Sequence, residues 1–351
     1  MNKPRSAHSS DATGPDPLVL YRGGRSADGF FAALLAWLHF QGRGTYLAVE
    51  PGGPLPEAKG QSVYLLGLGV SPSSLVDFSC KSIRTVVLDN DPEGMQDSDL
   101  RLSNANANGL VHVDSKQSVS RLAWTHFQAD APVPDAVRLI EDGELSKCTL
   151  PESSAFLARL DIEPLDFERW RSILNLQGQP LHDYVREGRF MHAKLVHLGE
   201  LISRDAAPIV LSGEPGLMVQ APLALHAIVG DMLAKKCKTY ALLWQIKNSC
   251  IQISLRSQAG YLALPLARPP RGIGSWSLPC GALADLLSGS MDLERLKSSR
   301  KPVRPVTGDA CMNAGKALFH GLWSAAAFSS RYDKASWKSV HRQLIEAKLI
   351  D

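Results

Sequence analysis

Val86-Val87-Leu88 runs straight into Asp89-Asn90-Asp91, and no other stretch narrows the fold as much. An aliphatic run with no polar alternation reads as a strand buried on both faces. Strands of that kind belong to parallel sheets packed under helices. In such sheets ligands gather outside the carboxyl ends of the strands, which is where the three polar residues fall. The run therefore predicts an α/β architecture and the edge at which a site would lie.

The rest of the first half agrees. Leu18 to Tyr21, Tyr46 to Val49 and Val63 to Gly69 read as further short strands, and Thr85 to Leu88 as the fourth. Between them, Phe30, Phe31, Leu34, Leu35 and Leu38 fall at helical spacing, and Ser71-Pro72 could open a helix over Leu75 to Phe78. After a polar loop with Asn104, Asn106 and Asn108, helices are expected over Ser118 to Phe127 and Pro134 to Glu141. This alternation predicts a mainly parallel sheet covered on both faces.

Residues 161–203 read as a helical connector with a break at Gly178-Gln179-Pro180. Strands at Ala207 to Leu211, Gly216 to Ala221, Thr239 to Lys247 and Ser249 to Arg256, with a helix over Ala224 to Cys237, predict a second, smaller α/β unit over 204–290. A Gly-rich turn is expected at Gly272 and Gly274. Residues 291–306 carry Arg295, Lys297, Arg300, Lys301 and Arg304 with two prolines, the composition of a basic linker, and 307–351 read as a helical module. Residues 1–16 are polar, with no apolar core of a signal peptide, and are expected to be a disordered tail. No run approaches the roughly 18 apolar residues of a membrane helix. Six cysteines without a C-x-x-C pair fit a reduced, cytoplasmic protein. A net charge of +3 over 351 residues says little about partners.

Four carboxylates stand where strands or helices meet turns: Asp28, Asp89, Asp91 and Asp142. Gathered around a divalent ion they would suit phosphoryl transfer or hydrolysis. Taken singly, each is also what a helix cap or a turn requires, since Asp is favoured at both. His192 and His197 are five apart and do not share a helix face. His112, near Asp114, is the one histidine placed to approach the edge. Cys80 and Cys148 read as core residues. Arg256, ending a strand of the second unit, could grip a phosphate or make a surface ion pair.

As an ordered set, these motifs resemble the DHH phosphoesterases, in particular the bacterial branch that hydrolyses short oligonucleotides and cyclic nucleotides. Leu18-Val19-Leu20-Tyr21 with Ala27-Asp28-Gly29-Phe30 is similar to the first motif, Val63-Tyr64-Leu65-Leu66 to the second, and Val86 to Asp91 to the strand bearing Asp-His-His. Ser120-Arg121-Leu122-Ala123-Trp124 and Leu139-Ile140-Glu141-Asp142 resemble the segments that follow, and Ile253-Ser254-Leu255-Arg256-Ser257 a strand of the DHH-associated domain. The resemblance covers roughly Leu18 to Leu283. It implies a DHH-like domain over 17–160 and an associated domain over 204–290. It also implies metal ligands at Asp28, Asp89, Asp91 and Asp142, and substrate contacts at Arg256, Ser257, Gly272 and Gly274.

The departures from that pattern bear on the chemistry. Arg22 or Gly23 stands where the first motif has His, Gly67 where the second has a metal-bridging Asp, and Asn90-Asp91 where the third has two His. The turn at Arg271-Gly272-Ile273-Gly274-Ser275 lacks its His as well. Without a bridging carboxylate or imidazoles, a pair of manganese ions loses its holder; three or four carboxylates could still bind one magnesium. The expectation is a pseudoenzyme with a vestigial cleft at Asp28, Asp89, Asn90, Asp91 and Asp142. It would need no cofactor, or Mn2+ or Mg2+ if active, and would bind nucleic acid, a nucleotide or a protein partner, away from membranes. Activity as a phosphodiesterase and a purely structural role are the alternatives. Trp337 to Ile350 is similar to the last winged-helix segment of RecQ-type helicases, or is an amphipathic helix packed on the body.

Overall fold

The described residues of the computed structural model are 16–50, 55–58, 60–70, 75, 81–91, 109–128, 131–147, 149–211, 214–247, 250–257 and 273–279. The chain forms two compact units that divide between His192 and Ala193. The expected N-terminal tail, the helix after Ser71-Pro72 (apart from Leu75), Cys80, Cys148, Gly272, the basic linker and the C-terminal module lie outside the described residues.

In the first unit β1 (Leu18–Arg22), β2 (Thr45–Val49), β3 (Ser62–Leu66), β4 (Arg84–Asp89) and β5 (Gly109–Val113) form one sheet in the order β2-β1-β3-β4-β5. All four pairings are parallel. The order reverses between β1 and β3, so the crevice at their carboxyl ends is the ligand position general to open α/β sheets. Alternation along the strands builds a core on each face. Val19, Tyr21, Tyr64, Leu66, Val86 and Leu88 pack with the helices α1 (Ala27–His39), α2 (Val119–Phe127), α3 (Asp135–Glu144), α4 (Ser153–Leu160) and α5 (Phe167–Leu174). Leu18, Leu20, Val63, Leu65 and Val87 pack on the other face with Val49, Ala58, Leu68, Val70 and Leu75. Burying each of these large aliphatic side chains contributes about 1.5–3 kcal/mol. The near-continuous apolar runs in the sequence are the result.

Strand β5 and helix α4 were not anticipated. β5 is an edge strand whose five residues are all partly or fully exposed, so it lacks the aliphatic signature of its neighbours. Helix α4 is eight residues long and Glu152 makes no side-chain cap for it, so neither length nor capping announces it. The expected connector begins as α5, breaks at 175–177 and resumes as α6 (Gly178–Ser203), with Pro180 inside its first turn, where a missing amide does no harm.

In the second unit β6 (Ala207–Leu211), β7 (Glu214–Gln220), β8 (Tyr240–Lys247), β9 (Cys250–Ser257) and β10 (Ile273–Pro279) form a sheet ordered β10-β9-β8-β7-β6. Only β7 and β8 are parallel, joined through α7 (His226–Cys237); the other pairs are antiparallel. Val229, Leu233 and Ala234 of α7 pack on Val219, Ala241 and Leu243. Gly274, expected in a turn, lies within β10 opposite Leu255. Glycine occurs inside strands where backbones approach closely, and the turn reading missed that use.

Candidate functional site

The register aligns Arg22, Gly67, Asp89 and Val113 in one row at the carboxyl edge of the first sheet, since Tyr21 faces Leu66, Leu66 faces Leu88 and Asp89 faces Val113. Each expected site residue of this unit lies at that edge or on a helix beside it. What each one touches decides what the edge can do.

Asp28 is buried in the first turn of α1, whose N-cap Ser26 accepts a hydrogen bond from the Gly29 amide (3.1 Å). Its own carboxylate faces α2. Val119 N–H donates to Oδ2 (2.9 Å) and Ser120 N–H to Oδ1 (2.8 Å). Ser118 completes that helix end: its Oγ accepts from the Arg121 amide (3.1 Å), and its hydroxyl lies 2.9 Å from that of Ser120. The Ser118 amide reaches Glu141 Oε2 (3.4 Å), and the Leu122 amide donates to the Ser118 carbonyl. Thus every amide that the start of a helix leaves without an intrahelical partner has one here. A carboxylate at this point is also favoured by the helix dipole.

Asp89 is likewise buried and differently occupied. Oδ2 accepts from the Gly69 amide (2.7 Å) and Oδ1 from the Asp91 amide (3.0 Å), tying the exit of β3 to the exit of β4. Burial pushes its carboxyl above the usual range, the Asp91 charge adds to this, and the backbone donors oppose it. By strand alternation Asp89 follows Thr85 and Val87, whereas α1 and Asp28 cover the face of Val86 and Leu88. Asp142, in the last turn of α3, accepts from the Thr149 amide (2.9 Å), the Thr149 hydroxyl and the Leu150 amide (3.2 Å). Burial raises its carboxyl, but these donors outweigh that and hold it below the ordinary value. Asp91 is half-buried with a carboxylate oxygen near Gly69, and the Asn90 side-chain nitrogen is buried without a hydrogen-bond partner. His112 is exposed on β5; two residues on, Asp114 closes the following turn by accepting from the Lys116 amide (2.8 Å) and the Gln117 side chain (2.8 Å).

Gly67 decides whether a metal pair fits. It has φ +67°, and a Cβ built on it would lie 2.9 Å from Val119 Cγ2. The volume that a bridging carboxylate at this position would need is therefore filled by the first residue of α2. With no carboxylate at 67 and no imidazole at 90 or 91, the described residues of this edge lack the bridging and nitrogen ligands of a two-metal centre. Among the described residues no three His, Cys, Asp or Glu side chains are grouped to hold a metal ion.

In the second unit Arg256 leaves β9 across α7. A Cβ on Gly230 would lie 2.6 Å from Arg256 Cγ, so that glycine makes room for the side chain. One guanidinium nitrogen lies 3.4 Å from Asp231 Oδ1, while Nε is buried with no hydrogen-bond partner. Two residues earlier Ser254 meets the buried His226, whose Nδ1 is 2.8 Å from Ser254 Oγ and whose Nε2 is 2.9 Å from the Ala221 carbonyl. A carbonyl can only accept, so Nε2 carries the proton and Nδ1 accepts from the serine. Ser257 is half-buried opposite Tyr240.

Sequence reasoning missed two features. Val119 and the Ser118 pair lay in a segment read only as the start of a helix. Glu163 is the other: it is buried and accepts from Arg159 (2.6 Å) and in two-pronged fashion from Arg169 (2.7 Å each), and its carbonyl, with that of Asp161, holds Arg25. The β1–α1 loop, with Gly24 and Arg25 both at positive φ, is fixed to the segment after α4 in this way. An acidic residue between a helix and a Pro gives no warning of such a role.

No protein-family model matches the chain, nor does any curated protein sequence. Solved structures do. The DHH domain of a member of the S1p family of ribosomal proteins aligns over 78% of this chain and 85% of its own, with TM-score 0.51 and 13% identity. The chain has the DHH-domain fold. A pGpG-specific phosphodiesterase from Vibrio cholerae is similar over 81% of this chain and 99% of its own (TM-score 0.42, 10% identity). An uncharacterized Helicobacter pylori protein covers the same shares (TM-score 0.34, 10% identity). Among the described residues of this DHH-fold chain, no helix is long and apolar enough to cross a membrane.

Proposed function

We propose that this DHH-fold protein works without hydrolysis, as a subunit that binds a short oligonucleotide or nucleotide, its carboxylates serving as structural caps. The observation that carries the reading is Val119 packed over Gly67 while the α2 amides occupy both oxygens of Asp28. A two-metal displacement needs a bridging ligand, and Gly67 supplies none. The ligand class rests on Arg256 in the second unit, whose guanidinium reaches Asp231 only at 3.4 Å. A guanidinium held by one long ion pair can exchange it for the bidentate grip of a phosphate.

Fluorescence anisotropy with a labelled tetranucleotide tests this. Binding is expected to survive EDTA, to weaken steeply between roughly 50 and 200 mM salt as phosphate contacts do, and to fall roughly tenfold or more in Arg256→Ala, the worth of one charge-assisted hydrogen bond. Manganese-dependent shortening of the oligonucleotide that disappears in Asp89→Ala would sink the non-hydrolytic reading. Absence of binding under every condition would favour a structural subunit that meets only protein.

A further inference from the structure

The disagreement between the carboxylate edge and a metal centre has a physical resolution in α2. We infer that the N-terminus of α2 is itself the counter-charge of Asp28, and that Gly67 and Val119 form a coupled pair that keeps the helix seated there. A buried carboxylate needs compensating partners. For Asp28 these are two backbone amides at the positive end of a helix, at 2.9 and 2.8 Å. For the helix end to approach so closely, the neighbouring strand exit must present no side chain. Gly67 meets that requirement: its amide donates to the Leu88 carbonyl (2.9 Å), which fixes the turn in place, and Val119 Cγ2 fills the space above it.

Any side chain at 67 therefore competes with Val119, and a residue with a Cβ is also strained at φ +67°. The two effects separate in a mutant cycle, because Val119→Ala removes Cγ2 and Cγ1 and leaves only Cβ, 3.5 Å away, an ordinary contact. Backbone strain at 67 is the same in both backgrounds, whereas the steric conflict exists in one.

This inference deepens the metal-free reading above but is tested without nucleic acid, so the two can fail separately. Thermal unfolding of the full chain is compared for wild type, Gly67→Ala, Val119→Ala and the double variant. Gly67→Ala is expected to lower the midpoint in the wild-type background by roughly 3–8 °C more than in the Val119→Ala background, the scale of an overpacked core site. Additive effects would overturn the coupling. Should Gly67→Ala yield no folded protein, recovery of folded protein in the double variant is the same coupling, and failure to recover it overturns the proposal. Manganese chloride supplies the second measurement. The wild-type midpoint is expected to stay unmoved by it, and a rise on adding manganese that Asp28→Asn abolishes would show that a cation, and not α2, compensates Asp28.

Discussion

Replacing Asp28 by Asn tests the role of this residue most directly. The amide keeps the shape of the carboxylate but one of its two oxygens becomes an NH2 group. One of the α2 amides, from Val119 or Ser120, then faces a donor instead of an acceptor in a site shielded from water. A charge-assisted hydrogen bond contributes about 1.5–3 kcal/mol, and an unsatisfied buried donor costs a further ~1–3 kcal/mol. The favourable interaction of the charge with the helix dipole, about 0.3–1 kcal/mol, is lost as well. A destabilisation of at least about 3 kcal/mol follows, localised at the start of α2. Two compact units make a single unfolding free energy ill defined, so the suitable assay is native-state hydrogen exchange of the amides from Val119 to Phe127. Their exchange should accelerate about a hundredfold, while β8 and β9 of the second unit keep their rates. An acceleration under about fivefold would mean that Asp28 holds nothing together. Acceleration only after EDTA treatment of the wild type would mean that a metal had been doing so.

The remaining expectations concern other partners on the map. Glu163→Gln should destabilise the first unit by about 2–4 kcal/mol in urea unfolding, because Arg159 and Arg169 lose a buried counter-charge. Lowering pH should weaken the first unit in the acid range: the Arg169 and Arg159 contacts hold Glu163 below its ordinary value, and the Thr149 and Leu150 donors do so for Asp142. Stability from groups depressed in the folded state is complete above their unfolded values and is lost as pH falls through the folded ones. Asp142→Asn and Glu163→Gln should therefore each flatten the acid limb of the urea midpoint; unchanged curves would refute the assignment. Asp89 has the opposite sign, since burial raises its carboxyl, so its share of stability increases as pH falls through that raised value. In the second unit, Gly230→Ala should drive Arg256 off α7 and lower the unfolding midpoint; an Arg256→Ala background should reduce that loss without removing it, because Leu243 Cδ1 still lies 2.8 Å from the new Cβ.

How much of this was legible depended on where each residue finds its partner. The buried strands were readable because Val63 to Leu66 and Val86 to Leu88 are apolar on both faces, and the sequence shows that without knowledge of neighbours. The placement of Asp28, Asp89 and Asp142 at element ends was readable for the same reason. Their roles were not. Asp28 is bonded 91 and 92 residues away and Asp89 20 residues away, and a residue type alone cannot say whether its oxygens will meet amides or a cation. The missing side chain at Gly67 was visible in the sequence. That Val119 fills its place became visible only when the helix was set on the sheet. Ser254 and His226 followed the same rule, as two polar residues 28 apart that satisfy each other inside the second unit.

Retaining Asp28 where the neighbouring ligand positions hold Gly67 and Asn90 has a consistent physical basis. A buried carboxylate can be compensated by a cation or by oriented backbone amides, and the two solutions ask for different surroundings. The cation needs several ligands at once, so removing a bridging carboxylate disables it. The helix terminus needs only the one carboxylate and a clear approach, which a glycine at 67 provides. With α2 seated on Asp28, a side chain at 67 meets Val119, and Asp28 accepts from two amides at the start of that helix. The same residue type at the same sheet edge can therefore sit at the centre of a hydrolytic site or at the centre of a packing contact. In this chain, 2.9 Å separates Val119 from the position a side chain at 67 would take, too little for both.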